Sequence, residues 1–83
     1  MDLSECKNIK DFTPISKFEK IEILKVGDTK ISDISFLENN KNIKELDLSY
    51  CKNIKEFSHT SKLEKLDNLN VSGKYFRYFI FRK

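Results

Sequence analysis

The chain has 83 residues, 16 of them basic and 13 acidic, with 39% hydrophobic and 35% charged positions. A chain this short buries only about 60–65% of its unfolded surface, which supports one thin core and excludes a two-domain enzyme. No run approaches the 18 apolar residues of a membrane span, and Met1-Asp2-Leu3-Ser4-Glu5 lacks the basic and apolar regions of a signal peptide, so the expected setting is cytoplasmic.

In chain order, the segment Leu3-Ser4-Glu5-Cys6-Lys7-Asn8-Ile9-Lys10-Asp11-Phe12 comes first, and it returns 45 residues later as Leu48-Ser49-Tyr50-Cys51-Lys52-Asn53-Ile54-Lys55-Glu56-Phe57 with eight of ten positions identical. Between the two copies lies Leu24-Lys25-Val26-Gly27-Asp28-Thr29-Lys30-Ile31-Ser32-Asp33-Ile34, in which Val26 follows Leu3 by 23 and precedes Leu48 by 22. A fourth unit opens at Leu69-Asn70-Val71, with Val71 placed 23 after Leu48. The chain is therefore expected to make four turns of a 22–23-residue period, about 1–20, 21–42, 43–65 and 66–83, within one domain.

The pairs Leu24/Val26, Leu46/Leu48 and Leu69/Val71 have the two-residue alternation of short strands with one buried face. Ile9, Phe12, Ile15 and Phe18 follow the first strand position, Ile31, Ile34 and Leu37 the second, and Ile54, Phe57 and Leu63 the third. These predict an apolar return packed behind the sheet. The pattern L-x-x-L-x-L-x-x-(N/C/T)-x-(x)-I-x-x-(L/F) over residues 1 to about 74 resembles the leucine-rich repeat. Thr29-Lys30-Ile31-Ser32-Asp33-Ile34 is similar to the T-x-I-x-D-I turn of phosphatase-regulating and bacterial internalin-like repeats, whereas Cys6-Lys7-Asn8-Ile9 and Cys51-Lys52-Asn53-Ile54 resemble cysteine-containing repeats. Asp11-Phe12-Thr13-Pro14-Ile15-Ser16 resembles the D-V-S-P-L-S return of some protist surface repeats. The resemblance implies an α/β-type solenoid: a right-handed coil with a curved parallel sheet of about four short strands and irregular, 3₁₀ or short helical returns.

Two cysteines raise the question of a disulfide. Cys6 and Cys51 occupy equivalent places two coils apart, roughly 9–10 Å at the spacing of neighbouring strands, beyond the ~7 Å reach of a disulfide. No further ligands stand at metal-site spacing around them and the only histidine, His59, falls in a return segment, so no metal or cofactor is expected. Both cysteines are expected as buried free thiols at the position where other repeats carry an asparagine that ties down the turn. Asp28, Glu45 and Asp47 would lie on a watered sheet face with no apolar pocket to part their protonation behaviour, which argues against paired-carboxylate catalysis. Gly27 and Gly73 cannot form a phosphate-cradling loop and are expected to permit tight turns after the strands. Asn70-Val71-Ser72 fits a glycosylation acceptor but falls on a predicted strand.

The register puts Asp2, Ser4, Glu5, Ile23, Lys25, Gly27, Asp28, Glu45, Asp47, Ser49, Tyr50, Asn68, Asn70 and Ser72 on the concave face. That is five acids against one base, in a chain whose net charge is +3. The expected partner is a basic or polar polypeptide contacting Asp2, Glu5, Lys25, Asp28, Glu45, Asp47, Tyr50, Asn68 and Asn70, with Tyr50 as aromatic anchor. The alternative is that the acids only keep an exposed sheet soluble. Nucleic acid is disfavoured because bases and acids alternate instead of clustering on one face. Four strands give a face of roughly 170 Å², short of the ~800 Å² per partner of a stable interface, so binding draws in loops, or the chain is part of a longer array. The tail Tyr75-Phe76-Arg77-Tyr78-Phe79-Ile80-Phe81-Arg82-Lys83 holds five of the ten aromatics and reads either as the return of the fourth coil or as a partner or membrane hook. Unpaired sheet edges at the ends of the solenoid lead to an expectation of self-association or of an edge-bound partner.

Overall fold

The computed structural model describes residues 1–73. Strands β1 (Ile23–Lys25), β2 (Glu45–Asp47) and β3 (Asn68–Asn70) form a parallel sheet in that order. Ile23, Glu45 and Asn68 share one cross-sheet row, Leu24, Leu46 and Leu69 the next, and Lys25, Asp47 and Asn70 the third. The expected first strand is present as a single bridge between Asp2 and Lys25. Backbone bonds extend the ladder past the strands: Leu3, Val26 and Leu48 donate to the carbonyls of Lys25, Asp47 and Asn70 at 2.7, 3.0 and 2.8 Å.

Each return carries a five-residue 3₁₀ helix: η1 (Thr13–Lys17), η2 (Ser35–Asn39) and η3 (Ser58–Lys62). The start of each is set by a recurring acid–hydroxyl pair. Asp11 Oδ1 accepts from the Thr13 amide at 3.0 Å and hydroxyl at 2.7 Å, Asp33 Oδ1 accepts from the Ser35 amide at 2.9 Å, and Glu56 Oε1 accepts from the Ser58 hydroxyl at 2.7 Å. In the first two returns the short aspartate side chain bonds the backbone two residues on, which offers the chain a turn in place of a strand; in the third, Glu56 reaches only the Ser58 hydroxyl. The tight i→i+3 pattern then brings Ile15, Leu37 and Thr60 inward at one common position.

The core lies between sheet and returns, with Leu24, Val26, Ile34, Leu37, Ile43, Leu46, Leu48 and Leu66 almost fully enclosed. Each such side chain contributes about 1.5–3 kcal/mol by leaving water. Thr60, in the place of Ile15 and Leu37, stays buried because its hydroxyl donates to the Phe57 carbonyl at 2.7 Å. Asn40 is also enclosed, and its Nδ2 donates to the carbonyls of Ile15 and Phe18 in the preceding coil at 3.0 and 3.1 Å.

Three expectations need correction. Phe18 is not part of the packed return: it is 53% exposed, because the same position in the next two coils, Asn40 and Leu63, faces back onto a preceding coil that coil 1 lacks among the described residues. Cys6 is half-exposed for the same reason, whereas Cys51 is buried. Gly27 is not the turn former: the left-handed residue of that coil is Asp28, at φ 54°. A Cβ on Gly27 would stand 2.8 Å from Ser49 Oγ, so glycine is needed there for close approach of the neighbouring coil. Gly73, at φ 133°, has the turn role expected of it. The aromatic tail lies outside the described residues.

Candidate interaction face

The nine residues expected on the inner face separate into two groups. Lys25, Glu45, Asp47, Asn68 and Asn70 line one shallow depression of about 210 Å³, floored by the buried Leu46. They meet there because residues two apart on a strand point to the same side and the parallel register stacks equivalent positions. Asp2 extends this group, since its bridge to Lys25 continues the row Asp2, Lys25, Asp47, Asn70. The single cation of the row is therefore flanked by two carboxylate-bearing residues. Ile23, next to Glu45 in the neighbouring row, is 42% exposed and gives the face an apolar patch.

Three side chains of this row also hold the backbone. Asp2, Asp47 and Asn70 each accept from the amide two residues on, Ser4, Ser49 and Ser72, at 3.0, 2.9 and 3.0 Å. The Ser4 amide, with further bonding from the Ser4 hydroxyl and attraction from Lys25 and the N-terminal ammonium, holds the Asp2 carboxyl below its ordinary range. Lys25 stands where the other coils have Asp or Asn, and its coil has Gly27 in place of serine.

Glu5, Asp28 and Tyr50 are not on the sheet face. They form a separate column in the turns that leave the strands, all three left-handed at φ 65°, 54° and 58°. Their amides donate to the carbonyls of Gly27, Ser49 and Ser72 in the next coil at 2.9, 2.7 and 2.9 Å. Asp28 faces Lys7 at 3.7 Å, and Tyr50 is 55% exposed beside Gly73. The column follows the strands in sequence, and none of its residues lines the depression.

The cysteine column behaves as turn chemistry. Cys51 Sγ donates to the Val26 carbonyl at 3.2 Å and lies 3.8 Å from Thr29 Oγ1, which itself donates to the same carbonyl at 2.7 Å. Burial pushes the Cys51 thiol up, away from the reactive thiolate. Both cysteines are free, and among the described residues no three His, Cys, Asp or Glu side chains group as metal ligands. No described helix is long and apolar enough to cross a membrane.

Sequence reasoning missed a cluster on the return side. His59 Nδ1 and Lys62 Nζ approach Glu38 Oε2 at 2.7 and 3.2 Å, and the His59 contact is the larger cause holding the Glu38 carboxyl below its usual range. The partners are diagonal neighbours between coils, since His59 sits in the place of Phe36 and not in that of Glu38. Aligning repeats column by column does not reveal such a pair.

No family model matches the chain, and no curated protein matches it. Among solved structures it is similar to an internalin, InlF, from Listeria monocytogenes strain 4b F2365, at 33% identity and a TM-score of 0.70 over 76% of this chain. The likeness supports a fold of leucine-rich-repeat type. This chain spans only 18% of the length of that internalin.

Proposed function

We propose that the protein is a non-catalytic protein-interaction module whose concave face receives a basic or polar polypeptide. The observation that carries the reading is the convergence of Lys25, Glu45, Asp47, Asn68 and Asn70 on one depression, with the exposed Ile23 paired to Glu45 and the exposed Tyr50 in the turn after β2. Two carboxylates within a small polar recess attract a lysine or arginine side chain, and the neighbouring asparagines offer both donors and acceptors to an extended backbone. The recess is too small for a stable interface alone, so Glu5, Asp28 and Tyr50 enlarge the contact. A second reading, self-association or completion of a larger array, is favoured by the exposed Phe18 and half-exposed Cys6 at one end of the coil stack.

Glu45→Gln with Asp47→Asn tests the first reading. Asn70 already makes the same turn bond in the next coil that Asp47 makes, so the pair removes charge and leaves the fold intact. Fluorescence anisotropy with lysine-rich and glutamate-rich peptides of equal length should show the wild type preferring the basic peptide and the double variant losing at least tenfold of that preference. Equal affinity for both peptides, or an unchanged preference in the variant, refutes it.

A further inference from the structure

The row Asp2, Lys25, Asp47 and Asn70 has an order of charge that composition does not show. Two carboxylates stand on either side of one ammonium, and the row ends on an amide. Asp2, Asp47 and Asn70 each use Oδ1 to accept from the amide two residues on, at 3.0, 2.9 and 3.0 Å. That bond holds the side chain in place and leaves the second oxygen of each acid, and Nδ2 of Asn70, outside it. Lys25 is exposed and makes no ion pair and no side-chain hydrogen bond among the described residues, although an acid flanks it on both sides. Neighbouring strands are about 4.8 Å apart, so Asp2 and Asp47 stand about 9.6 Å apart with Lys25 midway.

A polypeptide that crosses the strands along this row has to bring a cation to each acid and an acceptor to Lys25. In a polyproline II segment residues i and i+3 lie on one side, about 9.3 Å apart at about 3.1 Å per residue, and the carbonyls have no internal partner. In a β-strand the same-side neighbours i and i+2 are about 6.6–6.8 Å apart, so a second cation stops about 3 Å short of Asp47 and closer to Lys25. In an α-helix i and i+7 are about 10.5 Å apart, but the side chain at i+3 or i+4 falls over Lys25 and the carbonyls are bonded within the helix. The polyproline II repeat alone meets both demands.

We propose that the row binds a polyproline II segment with lysine or arginine at positions i and i+3. The first cation sits on Asp2 and the second on Asp47, with Lys25 donating to a backbone carbonyl between them and Asn70 Nδ2 to a later one. This rests on the concave-face reading above and adds the conformation and spacing of the ligand. Lys25 is the specificity-determining residue, because its ammonium repels a further cation placed at i+1 or i+2. Glu45, two residues before Asp47 on the same strand, adds negative charge beside the second position, and the exposed Ile23 paired with it offers an apolar surface to proline rings. The row spans about 14 Å, enough for about four or five residues of polyproline II.

Fluorescence anisotropy tests this with the full chain and proline-rich peptides of one composition, carrying two lysines either three residues apart or adjacent. The wild type should bind the three-apart isomer at least fivefold more tightly. Lys25→Gln should bring the two isomers within twofold by raising affinity for the adjacent isomer, a gain that a damaged fold cannot produce. Asp2→Asn, in which asparagine keeps the turn bond as Asn70 does, should weaken the three-apart isomer at least threefold and leave the adjacent isomer within twofold of wild type. Equal affinity for both isomers, or a preference that survives in Lys25→Gln, would overturn the proposal and leave the basic-peptide reading standing. Tighter binding of a valine-rich peptide with lysines two apart, or of an alanine-rich one with lysines seven apart, would do the same. Binding of none of these peptides would overturn both.

Discussion

Asn40 is the position where one substitution reads the cohesion between coils most directly. It is fully buried, its Nδ2 bonds the Ile15 and Phe18 carbonyls of coil 1 at 3.0 and 3.1 Å, and its Oδ1 has no hydrogen-bond partner among the described residues. In Asn40→Ala two bonds worth about 1 kcal/mol each disappear, and the small cavity costs about 1 kcal/mol more. Against this, the buried Oδ1 no longer has to be stripped of water, which returns about 1 kcal/mol. Both carbonyls keep one backbone donor, from Phe18 and Ile21, so neither is orphaned. The net loss is about 2 kcal/mol. With an unfolding entropy of about 2.1 cal/mol/K per residue, an 83-residue chain loses about 12 °C in Tm. Asn40→Leu, which copies the buried Leu63 of the next coil, fills the space and should cost about 1 kcal/mol or less. Asn40→Asp sets a carboxylate against two carbonyls and should cost more than 3 kcal/mol at pH 7. Burial raises the folded-state pKa of that carboxyl, so its penalty is absent below the unfolded value near 4 and grows as pH rises. Thermal and urea unfolding by circular dichroism at pH 4 and pH 7 measure all three. An alanine variant within 3 °C of wild type, or an aspartate variant no worse than alanine at pH 7, refutes the account.

Gly27→Ala should destabilise by about 1–2 kcal/mol, because its Cβ meets Ser49 Oγ at 2.8 Å, and Ser49→Ala should recover part of that loss in the double variant while the 3.3 Å approach to the Ser49 carbonyl remains. Chemical denaturation of the four-member cycle gives the coupling, and additive losses contradict it. Glu38 has its carboxyl held low, first by His59 and then by Lys62, so the folded state binds fewer protons than the unfolded one near the ordinary glutamate value of 4.5. Its contribution is present above that pH and fades as pH falls through the lower folded value. Stability of Glu38→Gln should therefore fall less steeply than wild type below pH 4.5, and parallel acid profiles would rule this out. Native alkylation followed by intact mass should modify the half-exposed Cys6 first and Cys51 only after unfolding, whereas equal rates would contradict the buried position and raised pKa of Cys51.

The period of the chain was legible because each coil repeats the same burial demand. Alternating Leu24/Val26 and Leu46/Leu48 marked the sheet, and the Asp11–Thr13, Asp33–Ser35 and Glu56–Ser58 pairs start the returns at matching places. What stayed hidden depends on which coil stands next to a residue. Phe18 matches an apolar pattern but has no preceding coil to pack on among the described residues, so its pattern and its exposure part company. Asn40 is polar and buried because two carbonyls of another coil await it, 22 and 25 residues away. Of the inner face, the row Lys25, Asp47, Asn70 followed from strand alternation alone. The displacement of Glu5, Asp28 and Tyr50 into a turn column did not, because left-handed backbone at three non-glycine residues has no signal in a hydrophobic pattern.

That column bears on function through its conformational cost. Aspartate tolerates the left-handed region, but glutamate and tyrosine pay about 1 kcal/mol there, and Gly73 shows that the fold admits glycine at the same column. The inter-coil bonds from the Glu5 and Tyr50 amides do not depend on the side chain, so glycine would keep them and shed the strain. Packing does not require these side chains either, since Glu5 and Tyr50 are exposed. Strain kept at an exposed side chain without a folding return is in keeping with the contact proposed above for Glu5 and Tyr50.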